Sequence, residues 1–415
     1  MTGNTMEPDA GLFFPKLMMG YKDVNIFPLY GQLKNTGSID APIFPTNGIA
    51  FLVAAIGYDG GNTGLAGAGT GYGVTGTALA GLTDTLAAGT AVAATTITVA
   101  STKPTVGQYI QIDVNSTVTP TTSEVRQVAT STGSASPYTV TFTAPLVYSH
   151  ASGATVTYVQ SPFTHTIQQA NTLPSLTVEK NIGGFESLQF SGARVNKYDM
   201  KCTTGDDGIN ATIDMVAQAV NILTSPSAIS VTDEYPFVFA EVTLDLFGTS
   251  LTQGTSFSLS IDNALKSTYT YNQTHGLQFL TPVTRHISGE LEVVYFNSGG
   301  LGDTTYDYLL QYLTGFQGTN STLTGGISFT VAHTATEGEV SLNGTPQGLP
   351  TALISGESIT INLPQCNISK YADDVKMDDV VMSTLGFEAS LDLNAALAAP
   401  TTISATVVNA VCTAY

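Results

Sequence analysis

The densest run of chemistry-bearing side chains is DDVKMDD, in which Asp373, Asp374, Asp378 and Asp379 bring four carboxylates into seven residues. Oxygen clusters of this kind suit calcium, but the run lacks the central glycine and final glutamate of an EF-hand loop, so a solvated acidic loop is the plainer reading. A second pair, Asp206 and Asp207, lies between Gly205 and Gly208. There glycine permits positive φ and aspartate bonds its own backbone, which is turn chemistry. Gly71-Tyr-Gly-Val-Thr-Gly76 fits G-x-G-x-x-G, yet no strand precedes it and no acid follows at the expected distance, so it predicts no nucleotide site. His150, His165, His275, His286 and His333 share no ligand spacing with one another or with Cys202, Cys366 and Cys412. The three dispersed cysteines read as buried thiols, not as a disulfide framework. Local sequence offers no Ser-His-Asp or Cys-His arrangement. The expectation is a non-enzyme with no metal and no cofactor.

The elements that position these acids are strands. Phe185–Met200 and Ile209–Val216 alternate, with Leu188, Phe190, Ile213 and Met215 available to one face, and the GDDG turn joins them into a long hairpin. Its first strand has an echo: Glu186-Ser187 leading to Lys197-Tyr198 is matched by Glu357-Ser358 leading to Lys370-Tyr371, with an acidic turn after each. A second hairpin is therefore expected over Glu357–Leu393. Each hairpin is preceded by a helical pattern, Asn47–Gly57 and Asp303–Gly315, each starting at a capping side chain and stopping at glycine. Residues 58–82 are almost wholly Gly, Ala and Thr and read as a flexible connection. Thr83–Tyr158 then offers short strands at regular intervals, a small β-domain inserted into the first module. The expected organisation is residues 1–82 and 159–228 as the first module, 83–158 as a surface-projecting insert, and 229–415 as the second module.

Composition supports the β assignment. With 41 glycines and only 11% charged residues in 415, the chain is turn-rich, and 42% hydrophobic residues exclude a disordered class. Thirteen Lys plus Arg against 32 Asp plus Glu give a net charge of −19 with no basic cluster, which disfavours gripping nucleic acid through its phosphates. The N-terminus lacks the parts of a signal peptide and no apolar run approaches a membrane span, so a protein made in a cytoplasm is expected.

Five segments carry a resemblance to a known family: THTIQQANTLPSLTVEK (164–180), FSGARVNKYDM (190–200), INATIDMVAQ (209–218), FSLSIDNAL (257–265) and RHISGELEV (285–293). In pattern and order they resemble the tail tube proteins of long non-contractile phage tails. The resemblance implies an all-β fold of two tandem sandwich or barrel modules, each with one short helix, plus the insert. It further implies rings that stack into the conduit for DNA ejection. With two modules per chain, three chains make a pseudo-sixfold ring; with one, six are needed. Implied partners are other copies of the chain, the tape measure, tail tip and tail terminator proteins, and double-stranded DNA passing without specific binding, with no membrane role. The expected location is the virion tail, with Asp206, Asp207, Asp373, Asp374, Asp378 and Asp379 at the lumen or at ring contacts. The alternative is a β-sandwich adhesin, fibre or capsid-decoration protein with the insert as its binding domain.

Overall fold

A computed structural model describes residues 3–9, 33–59, 75–113, 122–182, 186–205, 208–228, 234, 236–269, 277–294, 312, 326–333, 341–342, 345–346, 356–374, 381–391 and 401–411. The first strands are β1 (Gly3–Asn4), β2 (Glu7–Asp9) and β3 (Lys34–Pro42), followed by helix α1 (Ile49–Ile56) and β4 (Gly57–Asp59). Next come β5 (Thr75–Thr85), β6 (Thr96–Val99), β7 (Tyr109–Ile112), β8 (Glu124–Thr132) and β9 (Tyr138–Phe142). The middle of the chain supplies β10 (Thr155–Gln169), β11 (Leu176–Ile182), β12 (Glu186–Thr203), β13 (Asn210–Ala217) and β14 (Ala219–Leu223). Then follow β15 (Val242–Leu246), β16 (Thr249–Leu251), β17 (Gly254–Asp262), β18 (Leu265–Thr268), β19 (Phe279–Pro282) and β20 (His286–Val294). The last are β21 (Ile327–Ala332), β22 (Ser341–Leu342), β23 (Thr345–Pro346), β24 (Ser358–Leu363), β25 (Cys366–Asp374), β26 (Met382–Ala389) and β27 (Ser404–Asn409).

Two large antiparallel sheets result. The first runs β1-β3-β13-β12-β17-β20-β26-β25, with β2 beside β3 and with β11 and β14 beside β12. The second runs β16-β15-β21-β24-β27-β10-β7-β8-β9-β6, with β4 and β5 along the other side of β10. One cluster of buried apolar side chains, from Met6 to Val407, fills the space between them. Phe257 of the first sheet stacks on Phe329 of the second at 4.7 Å and lies 5.9 Å from Phe387. Each such ring contributes about 1.5–3 kcal/mol by leaving water. The alternation of the strands produces this directly: in β13 Ala211, Ile213, Met215 and Ala217 are buried while the polar residues between them are half-exposed or exposed.

The helix expected over Asn47–Gly57 is α1, but its N-cap is Gly48 in a left-handed conformation and makes no side-chain cap bond, so Asn47 does not cap it. The helix is held by burial of Ile49 and of Leu52 through Ile56. The corresponding pattern over 303–315 lies outside the described residues except for Tyr312. The second hairpin is shorter than expected. Glu357-Ser358 opens β24 in the second sheet, Pro364 and Gln365 end that strand's path, and only β25 and β26 form a hairpin in the first sheet. Proline at the turn lets the chain cross between sheets, so the Glu-Ser part of the echo joins residues in different sheets.

The insert also differs at its borders. β5 begins at Thr75, inside the stretch read as a flexible connection, and β10 continues past Tyr158 to Gln169 without a break. The first part of β10 pairs with β7 and its second part with β27, so one strand joins the small β-region to the sandwich. The small region has its own core of Leu86, Ile97, Val99, Ile110, Ile112, Val128, Val140, Phe142, Leu146, Val156 and Tyr158. At the junction of β4, β10 and β27, buried His165 meets Asp59 Oδ2 through Nδ1 (2.6 Å) and donates from Nε2 to the Val411 carbonyl (2.9 Å).

Candidate functional site

The core-facing side of the first sheet is apolar, and register fixes what its other side must be. Reading across β3, β13, β12, β17, β20 and β26, one row is Asp40, Thr212, Asp199, Ser260, Ser288 and Glu388. On one side of it runs Ser38, Asp214, Lys197, Asp262 and His286. On the other side run Asn210, Lys201, Ser258, Glu290, Gly386 and Lys370, and then Thr203, Ser256, Glu292, Thr384 and Ala372. Short hydroxyl side chains alternate with carboxylates over this face, and Lys197, Lys370 and His286 lie beside acids. Lys197 Nζ lies 2.7 Å from Asp199, Lys370 Nζ 2.8 Å from Glu290, and His286 Nε2 3.7 Å from Glu388. Arg194, further along β12, donates to the Leu280 carbonyl.

The electrostatics follow from this crowding. Partial burial raises the pKa of Asp214, and neighbouring Asp199, Asp40 and Asp262 push it the same way against the opposing pull of Lys197. The bond to Asp199 holds the Lys197 ammonium above its ordinary pKa. Lys197 and Lys370, each beside an acid, have little charge left to offer a polyanion, whereas Lys201 is exposed between Asn210 and Ser258.

Of the acids singled out from sequence, Asp373 and Asp374 end β25 and are exposed. Asp373 accepts a bond from Ser383 Oγ at 2.6 Å, and Asp374 stands opposite Met382. Asp206, Asp207, Asp378 and Asp379 lie outside the described residues. Asp40, Asp199, Asp214, Asp262, Glu290, Glu292 and Glu388 were not singled out. For Asp199, Asp262, Glu290 and Glu292 the signal is present in KYDMK, FSLSID and SGELEV, where acids take the polar positions of an alternating strand.

The described histidines serve separate local structures. His150 Nε2 meets Glu124 Oε1 at 2.8 Å, inside the small β-region where Arg126 also pairs with Glu124. His333 Nδ1 meets Glu241 Oε1 at 2.5 Å and its ring stacks on Phe237. Glu357 lies nearby, and burial pushes its carboxyl up to about 6, with Glu234 adding to the rise and His333 opposing it. Among the described residues no group of three or more His, Cys, Asp or Glu is placed to hold a metal ion. No described helix is long and apolar enough to cross a membrane. The chain matches no protein-family model and no curated protein.

Proposed function

We propose that this chain is a structural building block of a phage tail tube, made of two tandem modules fused over one core, which assembles into stacked rings around a DNA conduit. The observation that carries the reading is that the first sheet has the same order twice. Strands β2-β3-β13-β12 are followed across the sheet by β17-β20-β26-β25, and in chain order each set gives two strands, then a hairpin. Details agree at residue level. Asn196 interrupts the register of β12 with β13 just before Lys197-Tyr198, and Ser369 interrupts that of β25 with β26 just before Lys370-Tyr371. Gly37 stands opposite Met215 as Gly289 stands opposite Phe387. In both places a β-carbon would collide, with the Met6 backbone at 2.4 Å in one and with Phe387 Cζ at 2.4 Å in the other. Among the described residues strands β15 and β16 have no counterpart in the first half.

Three chains then give six such units and a closed wall whose apolar side faces the sandwich core. Its Ser/Thr and carboxylate side lines the lumen, with the hairpin acids Asp206, Asp207, Asp374, Asp378 and Asp379 at or near that wall and Asp373 on the other side of β25, bonded to buried Ser383. A conduit for a phosphate polymer needs a wall that repels or ignores it, and this face, on which seven carboxylates stand against three lysines, suits that need. The tape measure, tip and terminator proteins are the partners the family resemblance brings, and the virion tail is the corresponding location. Negative-stain microscopy of the purified chain tests the proposal: rings or tubes are expected, whereas isolated monomers under all assembly conditions favour an adhesin or decoration protein.

A further inference from the structure

The two outer edges of the first sheet belong to β25 and to the β1–β2 segment, and among the described residues each has a partner strand on one side only. A strand with no neighbour on one side invites pairing with another chain. Inside the molecule the sheet already contains a joint between its two halves, where β12 pairs antiparallel with β17 from Lys197 opposite Asp262 to Thr203 opposite Ser256. Resting on the tandem reading above, β25 corresponds to β12. The register through β3 and β20 makes Gly3–Asp9 correspond to Ser256–Asp262. Met6, fully buried against Gly37, then takes the place of Leu259 opposite Gly289. Asp9, opposite Lys34, takes the place of Asp262, opposite His286.

We infer that β25 of one copy pairs antiparallel with residues 3–9 of the next copy in the register of the internal joint, setting Lys370 opposite Asp9. Tyr371 then faces Pro8, Ala372 faces Glu7, Asp373 faces Met6 and Asp374 faces Thr5. The Lys370–Asp9 pair repeats the Lys197–Asp262 juxtaposition, so charge fixes the same register at both kinds of joint. The contact is head-to-tail, and it gives the proposed three-copy ring where the rotation per copy is one third of a turn. One difference follows from the sequence. Asn263 N donates to Asn196 O and Thr204 N to Thr255 O, so the alternate pair Tyr198 and Ile261 is also a hydrogen-bonded one. Pro8, in the place of Ile261, has no N–H, and Met6 N and O are already bonded within the copy to Asn4 Oδ1 and Lys180 Nζ, so the joint between copies has fewer free backbone groups than the joint within a copy. The edge is thereby less able to pair with unrelated strands.

By the same alternation Lys197 and Asp262 form a non-hydrogen-bonded pair, the closer kind, whose spacing suits a disulfide. The test is therefore cross-linking of the full-length variant carrying Lys370→Cys and Asp9→Cys, mixed under assembly conditions and oxidised. The unmodified chain gives the background from native thiols, and a variant with Lys370→Cys and Glu7→Cys is the out-of-register control. The expected result is a reducible ladder that ends at the closed ring for the first variant and at least tenfold less product for the control. Rings seen by microscopy without in-register cross-links overturn this joint and leave the tube proposal standing. Closed cross-linked rings that never stack overturn the tube proposal and leave the joint standing, and monomers throughout overturn both.

Discussion

On the proposed function, replacing Glu292 and Glu388 by lysine should turn a wall that lets DNA pass into one that holds it. Both residues are exposed on that face, with Glu292 accepting a bond from Ser256 Oγ at 3.0 Å and Glu388 lying 3.7 Å from His286. Exposed substitutions of this kind cost the fold within about 0.5 kcal/mol. Each moves the local charge by two, so a three-chain ring gains about twelve positive units and six new lysines, each able to contact one phosphate. At about 0.9 counterions released per contact, log affinity should fall with log salt at a slope approaching −5 per ring. Raising salt from 50 to 200 mM should then weaken retention roughly a thousandfold. The assay is the retention of short fluorescent duplexes by assembled tubes across that range, with circular dichroism confirming the fold. The wild type should retain nothing that salt releases. Equal retention by wild-type and variant tubes, or a variant without salt dependence, refutes the placement of this face at the lumen.

Ring width follows from strand number. Three copies of the eight-strand path make 24 strands, which at about 4.8 Å spacing and about 40° tilt give a backbone diameter of about 48 Å. Electron microscopy showing about twice that diameter would require six chains. Gly289→Ala places its β-carbon 2.1 Å from the Ser258 carbonyl oxygen and 2.4 Å from Phe387 Cζ. It should therefore cost about 2–3 kcal/mol in urea unfolding, and an unchanged midpoint contradicts the close approach. Glu357 has a folded pKa of about 6, above its ordinary value, so its ionisation is harder in the folded state. The penalty is absent below pH 4, grows as pH rises between the two pKa values and is complete above 6. Glu357→Gln should accordingly stabilise by about 1–2 kcal/mol at pH 7 and not at pH 4, and equal effects at both pH values exclude this account. Thr85 and Thr155 face each other across β5 and β10. Replacing residues 86–154 by Asn-Gly, with Val156 and Tyr158 changed to threonine, should therefore leave a hairpin on a chain that still assembles. A folded variant of this kind that forms no rings shows that the small β-region is needed for assembly.

The strands were far more legible than their partners. Alternation and turn residues placed β12 and β13 within a few residues of their observed limits, and located β6 to β9, because these signals are local. The acidic wall was not legible as a wall, since Asp40, Asp199, Asp214 and Asp262 become neighbours only through pairing between β3, β13, β12 and β17. Strand β5 was missed because alanine, glycine and threonine give the same composition to a linker and to a strand whose side chains pack closely on β10. Gly76, which leaves no room for a β-carbon beside Val159 and Phe163, shows how near that approach is. The assignment of Glu357-Ser358 to the second hairpin failed for a related reason. Similarity along the chain does not report which sheet a strand enters, and two residues at Pro364-Gln365 decided it.

The position of β27 also sets a timetable for synthesis. It lies in the middle of the second sheet between β24 and β10, and His165 is 244 residues from its partner Asn409. At roughly 5–20 residues per second a ribosome needs on the order of 12–50 seconds to make that interval. Throughout it, β10 and later β24 wait beside an empty slot. A nascent chain thus carries an unfinished second sheet until residues 404–409 emerge, and a truncated chain lacks the strand that unites its two halves. A chain lacking residues 404–409 leaves β10 and β24 without the partner they share.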